Sequence, residues 1–100
     1  MPIRGVLRYE SVTVGATAIG MTATAAKGVL PQAALVEVQD AAIRFRTDGT
    51  SPTATEGHQA DPGDVIHLNQ RDDVVNFSAI RRDGVSAILK ITQAVEWADG

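Results

Sequence analysis

The chain of 100 residues contains no cysteine, which excludes a disulfide framework, a thiol nucleophile and a zinc site built on thiolates. Aromatic residues are scarce, with one Trp, one Tyr and two Phe. Carbohydrate-binding and single-strand-binding surfaces depend on several stacked rings, so this scarcity argues against both. No apolar run approaches the roughly 18 residues of a membrane-spanning helix, and Met1–Glu10 lacks the apolar stretch of a signal peptide. We therefore expect a soluble protein made in the cytoplasm, with no membrane partner.

Concentrated positive charge is also missing. Nine Lys and Arg residues are scattered among twelve Asp and Glu residues, and the net charge is −3. Affinity for phosphate backbones requires clustered cations, so we expect no nucleic-acid partner.

The residues typical of catalytic and metal sites do not form a set. Most aspartates fall in predicted turns, where they serve the backbone, and the two histidines, His58 and His67, are too few for a metal site. Neither Ser51 nor Ser78 lies in a nucleophile elbow or a glycine-rich anion cradle. The sequence therefore predicts no catalytic residue, no metal, no cofactor and no enzymatic activity.

Period-two alternation is the strongest structural signal. In Ala33–Gln39, Ala34, Val36 and Val38 share one face, which is typical of a half-buried strand. Further strands are predicted at Ile43–Thr47, Val65–Asn69, Val74–Arg81 and Val85–Val95. About seven or eight short antiparallel strands at such spacing predict a single all-β domain, a small β-sandwich of jelly-roll or immunoglobulin type. Residues 1–12 are expected to form an extended arm and residues 97–100 a frayed end.

Turn chemistry predicts how these strands connect. Asp40–Ala42 is expected to close one hairpin, and Arg82-Asp83-Gly84 another, because Asp-Gly between apolar runs is a strong hairpin signal. Asp61-Pro62-Gly63-Asp64 has the composition of a type II turn. The Thr-, Val- and Gly-rich stretch Thr13–Ala26 favours one or two short strands, and an Ala-rich helix over Ala16–Lys27 is the alternative.

Apolar residues occur on both faces of the last two predicted strands, where Val74, Ile80 and Ile88 lie opposite the core set. A second apolar face in so small a chain indicates a subunit interface. A β-bulge that shifts the register is the alternative. On Ile43–Thr47, Arg44 and Arg46 share the outer face and either meet an acidic partner or lie exposed beside the neighbouring strand of the predicted hairpin.

A loop motif carries the one resemblance to a known family. Ile43–Thr53 reads IRFRTDGTSPT and is similar to the I-x-Y-T-x-D-G-x-x-P-T hairpin of β-sandwich modules in chitobiase-like enzymes. With Gly57-His58, Pro62-Gly63-Asp64 and the strand Asn76-Phe77-x-x-Ile80-Arg81, it resembles a class of small structural proteins of tailed phages and prophages. The resemblance covers residues 33–93.

The resemblance implies a virion protein in a head-decoration, neck or tail position, without catalytic residues. We hypothesise a non-enzymatic structural protein, made in the host cytoplasm, that forms a homo-oligomer (a trimer or higher ring) and contacts other virion proteins. Candidate contact residues are Arg44, Arg46, His58, Val74, Ile80 and Ile88. The N-terminal segment and the loop Thr50–Pro62 are the expected docking elements, and we expect the loop to gain its order from the partner.

Two other functions remain open from the sequence. A carbohydrate- or cell-surface-binding module would need an aromatic platform, for which Tyr9 and Trp97 are the candidates. A small enzyme on a cupin-like jelly roll would need His and Glu ligands on facing strands, which His58 and His67 do not supply.

Overall fold

The protein folds as a two-layer β-sandwich in the computed structural model, which describes residues 3–97. Its elements in chain order are β1 (Ile3–Val14), β2 (Ala33–Gln39), β3 (Ile43–Arg46), β4 (His58–Ala60), β5 (Val65–Leu68), α1 (Arg71–Asn76), β6 (Ser78–Arg81) and β7 (Ala87–Trp97). One sheet has the order β1-β7-β2-β5 and the other β4-β3-β6, and all neighbours are antiparallel. The predicted all-β sandwich is confirmed, with seven strands among the described residues.

Aliphatic side chains fill the space between the two sheets. Val36 and Val38 of β2 are fully buried together with Leu89 and Ile91 of β7 and Ile43 of β3. Each such side chain contributes about 1.5–3 kcal/mol by leaving water. The alternation predicted for β2 and for the start of β7 is therefore correct.

Both predicted hairpins are wrong, because the two connections cross between the layers instead of joining neighbours in one sheet. β2 and β7 belong to the four-stranded sheet, whereas β3 and β6 belong to the three-stranded sheet. At the first crossing Asp40 takes a positive φ of 75°, and Ala41 N donates to Gln39 O. At the second, Gly84 has no positive φ, so the primed turn that makes Asp-Gly a hairpin signal does not form. Arg44 and Arg46 consequently do not neighbour β2.

The strand predicted over Val74–Arg81 begins late, because its first residues form a short helix. Residues Arg71–Asn76 make α1, and β6 starts only at Ser78. Val74 projects from α1 into the core and is fully buried, next to Phe77. Helical spacing, not a second sheet face, explains the apolar pair Val74 and Val75, of which Val75 is exposed.

The connection from β1 to β2 covers one side of the sandwich and contains neither a regular strand nor a helix. Ile19 forms an isolated bridge with Ala79 on the outer edge of β6, and a tight turn at Lys27-Gly28 closes a bridge between Ala26 and Val29. The strand and helix predictions for 13–26 are thus both wrong beyond the end of β1 at Val14.

Polar side chains hold this connection against the inner face of β1 and β7. Glu10 accepts hydrogen bonds from Thr22 N (2.9 Å) and Thr22 Oγ1 (3.0 Å). Arg8 donates to Thr24 O (3.0 Å). Gln93 is fully buried, accepts from Arg8 and donates to the Thr22 carbonyl. A buried amide costs little when it is bonded in this way.

The terminal predictions fall partly outside the described residues. Of the segment expected as an arm, residues 3–12 lie in β1 and pair with β7. The frayed end predicted for 97–100 lies outside the described residues except for Trp97, the last residue of β7.

Candidate functional site

The outer face of the three-stranded sheet carries several of the predicted contact residues. We call it the arginine face, and it consists of Arg44, Arg46, Gln59, Ser78 and Ile80. The register places Arg44 between Gln59 and Ile80, and Arg46 beside Ser78. Ile43 and Phe45 point to the other side, so the alternation predicted for β3 is correct.

Arg44 holds the following loop against this face. Its Nη1 donates to Gly57 O at 3.3 Å, and its Nε donates to Ala54 O at 3.4 Å. Both acceptors lie in the loop between β3 and β4. The guanidinium is therefore engaged within the chain.

Arg46 and Asp48 form an ion pair at the start of the same loop. Arg46 Nη2 and Nε both donate to the Asp48 carboxylate, the latter at 3.1 Å. The guanidinium first, and then the amide of Thr50 (3.1 Å to Asp48 Oδ1), hold the pKa of Asp48 below its usual value. The same pairing raises the pKa of Arg46.

Several residues of the D-G-T-x-P-T motif shape the backbone of the loop. Gly49 takes a positive φ of 87°, as the turn after Asp48 requires, and Pro52 is buried. Thr53 and Glu56 exchange backbone hydrogen bonds of 2.9 and 3.3 Å. Gly57 has a φ of 137°, and a Cβ there would lie 3.2 Å from Phe45 O. The loop is ordered by its own bonds, so the expectation that only a partner could order it is wrong.

An open cleft of about 310 Å³ lies between this loop and the edge of the sheet. Its lining consists of Arg46, Thr47, Asp48, Glu56, Gly57 and His58. His58 is exposed in β4, and its ring lies 5.5 Å from that of Phe45, centroid to centroid. Arg46 and Asp48 neutralise each other, and Glu56 is a second acidic residue in the lining. Among residues 3–97, no three His, Asp or Glu side chains group as metal ligands.

No strand or helix within residues 3–97 covers the outer face of the four-stranded sheet, which we call the open face. Its apolar members are Tyr9, Leu35, Val65 and Ile88, and its polar members include Ser11, Glu37 and Lys90, which lie in register across three strands. Tyr9 is 61% exposed and Val65 47%. Lys90 Nζ donates to Ser11 Oγ at 3.1 Å. This mixture differs from the uniformly polar outer face of a sheet that only meets water.

The six predicted contact residues therefore separate into four groups. Arg44, Arg46 and Ile80 lie together on the arginine face, whereas His58 pairs with Phe45 and lies on the other side of the same sheet. Ile88 lies half-buried on the opposite, open face. Val74 is removed from the candidate set, because it is fully buried in the core and cannot contact a partner in the folded protein.

Sequence reasoning missed Tyr9, Leu35 and Val65 as members of the open face. Leu35 was visible as the apolar residue on the polar side of β2. Tyr9 gave no such signal, because β1 was expected to be an arm.

Comparison with known protein families, with characterised proteins and with solved structures finds no match to this chain. Within the part of the chain that the structure describes, no helix is long and apolar enough to cross a membrane.

Proposed function

We propose that this protein is a non-enzymatic structural protein of a phage virion, made in the host cytoplasm, which associates with copies of itself and docks on a capsid or tail. The open face is the surface through which copies meet. Together with further contacts it builds a trimer or higher ring.

One observation carries the self-association. On the outer face of the four-stranded sheet Tyr9 and Val65 are exposed and Leu35 and Ile88 are half-buried, with polar residues such as Glu37 and Lys90 between them. The inner face of the same sheet already supplies the core. A sheet with apolar residues on both faces is typical of one that is covered twice, and a second copy is the natural cover in a small chain.

The virion assignment is supported by the ordered motif set between residues 33 and 93, which resembles small structural proteins of tailed phages and prophages. The bonds of Asp48, Thr50 and Thr53 within the loop support a structural role for the motif. The paired charges of Arg46 and Asp48 are consistent with a loop that presents a rigid surface.

The self-association is tested by the mass of the protein in solution, measured by light scattering or sedimentation. We expect a trimer or larger species for the wild type. Ile88→Asp places a charge on the open face and should lower the mass while the circular dichroism spectrum and cooperative unfolding are kept. Val85→Asp is the matched control, because Val85 is 61% exposed in a loop outside both faces, and its mass should equal that of the wild type.

Two results would contradict the proposal. A wild-type protein that stays monomeric at high concentration would contradict the proposed self-association. If that monomer binds oligosaccharides, the carbohydrate-binding function is supported instead. An Ile88→Asp variant of unchanged mass shows that the open face does not join the copies.

A further inference from the structure

The four sheet edges of the sandwich are protected unequally. β4 and β5 are only three and four residues long. β6 is covered along its outer side, where Ile19 and Ala79 exchange hydrogen bonds of 2.9 and 2.8 Å and Arg81 N donates to Gly15 O. β1 is twelve residues long and pairs only with β7. Long unprotected edges are templates for pairing with another chain.

In an antiparallel sheet, alternate residues of a strand form hydrogen bonds with the neighbour on each side. This alternation shows which N–H and C=O groups of β1 point away from the sheet. Val38 N donates to Asp64 O, so β2 bonds β5 through its even-numbered residues and β7 through its odd-numbered ones. β7 then bonds β2 through residues 88, 90 and 92, and β1 through 87, 89, 91 and 93. The residues of β1 opposite the latter set are 8, 10, 12 and 14. The N–H and C=O groups of Tyr9, Ser11 and Thr13 therefore point away from the sheet.

The two halves of β1 differ in how far the chain itself occupies this edge. In the first half, Gly5 has a positive φ of 69°, the register shifts between Val6 and Arg8, and Lys27 Nζ lies 3.4 Å from Val6 O. The second half, Arg8–Val14, is regular and contains no proline or lysine. No backbone hydrogen bond to the outward groups of residues 9, 11 and 13 occurs among the described residues.

From this geometry we infer that β1 pairs antiparallel with β1 of a second copy, about a two-fold axis at Ser11. Full overlap of the regular segments sets Ser11 opposite Ser11 and Tyr9 opposite Thr13, which gives about six backbone hydrogen bonds. A register centred on Glu10 would oppose two carboxylates and is disfavoured. The same strand contributes both sides, as a two-fold contact requires.

The pairing joins two four-stranded sheets into one sheet of twice the width. Tyr9 of each copy then lies beside Thr13 of the other, so the open faces of the two molecules lie side by side on one sheet. This inference rests on the self-association part of the proposed function and is independent of the virion assignment. The edge contact by itself gives dimers, and the open face joins them into larger assemblies with an even number of copies, which selects a higher ring over a trimer.

The absence of cysteine allows a direct test by disulfide trapping. In the inferred register the two Ser11 Cα atoms lie about 5.5 Å apart, within the range of a disulfide, so Ser11→Cys should form a covalent dimer under mild oxidation. Thr13→Cys is the matched control on the same strand and face. Its two copies lie about 13 Å apart, four residues out of register, and should not cross-link. Trapping at neither position, or equal trapping at both, would overturn the inferred register.

Solution mass separates this contact from the open face. Ser11→Pro removes an N–H that points outward and leaves the bonds to β7 intact, so the fold should survive and the edge contact should be lost. Ser11→Ala keeps the N–H, loses only the bond to Lys90, and should behave as the wild type. We expect Ile88→Asp to leave a dimer, Ser11→Pro to leave the species joined by the open face, and the double variant to be a monomer.

The possible failures are distinguishable. If Ser11→Pro keeps the wild-type mass while Ile88→Asp lowers it, the edge pairing is wrong and the proposed function stands. If Ile88→Asp keeps the wild-type mass while Ser11→Pro lowers it to a monomer, the edge pairing stands and the role of the open face is wrong.

Discussion

The two sheets of this small sandwich differ in how much of their outer surface the chain itself covers. Other parts of the chain cover the three-stranded sheet. Arg44 donates hydrogen bonds to carbonyls of the loop between β3 and β4, and the segment at Ile19 pairs with the outer edge of β6. Within residues 3–97 the four-stranded sheet has an outer face of mixed apolar and polar residues that no strand or helix covers, and one long edge, β1, that has no second neighbouring strand. The comparison indicates that an arginine predicted from the sequence to contact a partner can instead form its hydrogen bonds within the same chain. The association surface that we propose lies where residues 3–97 provide no further strand or helix.

The largest effect is expected where a residue predicted to meet a partner is in fact in the core. Val74→Asp would bury an unpaired charge at a fully buried position, and we expect a loss of about 4 kcal/mol or more, enough to abolish cooperative unfolding. Val75→Asp, one residue later and 50% exposed, should change stability by no more than about 0.5 kcal/mol. Urea denaturation measures both. Equal effects at the two positions would mean that the helical assignment of α1 is wrong.

A smaller effect on the free energy of unfolding is expected in the loop between β3 and β4, and it tests whether this loop is ordered by its own backbone. Gly57→Ala forces a side chain onto a φ of 137° and close to Phe45 O and Pro52 Cβ, so we expect a loss of about 1–3 kcal/mol. Gly84→Ala is the matched control, since its added Cβ meets nothing within 4 Å and its φ is not positive. If Gly57→Ala unfolds at the same urea concentration as Gly84→Ala, the loop does not hold the conformation described.

The smallest effect on stability is expected from the ion pair between Arg46 and Asp48 at the start of that loop. The guanidinium of Arg46 and the Thr50 amide lower the pKa of Asp48, so the pair stabilises the folded state above the unfolded pKa of about 3.9. That contribution is lost as the pH falls through the lower, folded pKa. The Thr50 amide resonance should therefore titrate with a midpoint below about 3.9. Asp48→Asn should abolish this titration, whereas a wild-type midpoint at or above 3.9 would show that the pair does not form in solution.

Much of the local structure followed from pattern and turn chemistry. β2 has the predicted bounds, because Ala34, Val36 and Val38 alternate without interruption. The turn at Asp61–Asp64 forms as predicted, with a positive φ at Gly63 and Asp64 N donating to Asp61 O. The candidate site followed less well: Arg44, Arg46 and Ile80 do share a face, but the contacts of the two arginines lie in a loop that sequence reasoning treated as unstructured.

The sequence by itself determined the all-β class, the inward face of the core strands and the turns at Gly49 and Gly63, since alternation and positive-φ residues act locally. Only the tertiary structure decided which strands share a sheet, because an alternating strand looks the same whether its neighbour lies beside it or across the core. The same ambiguity concealed the free edge of β1. An edge is defined by the absence of a neighbouring strand, and no residue pattern records that absence.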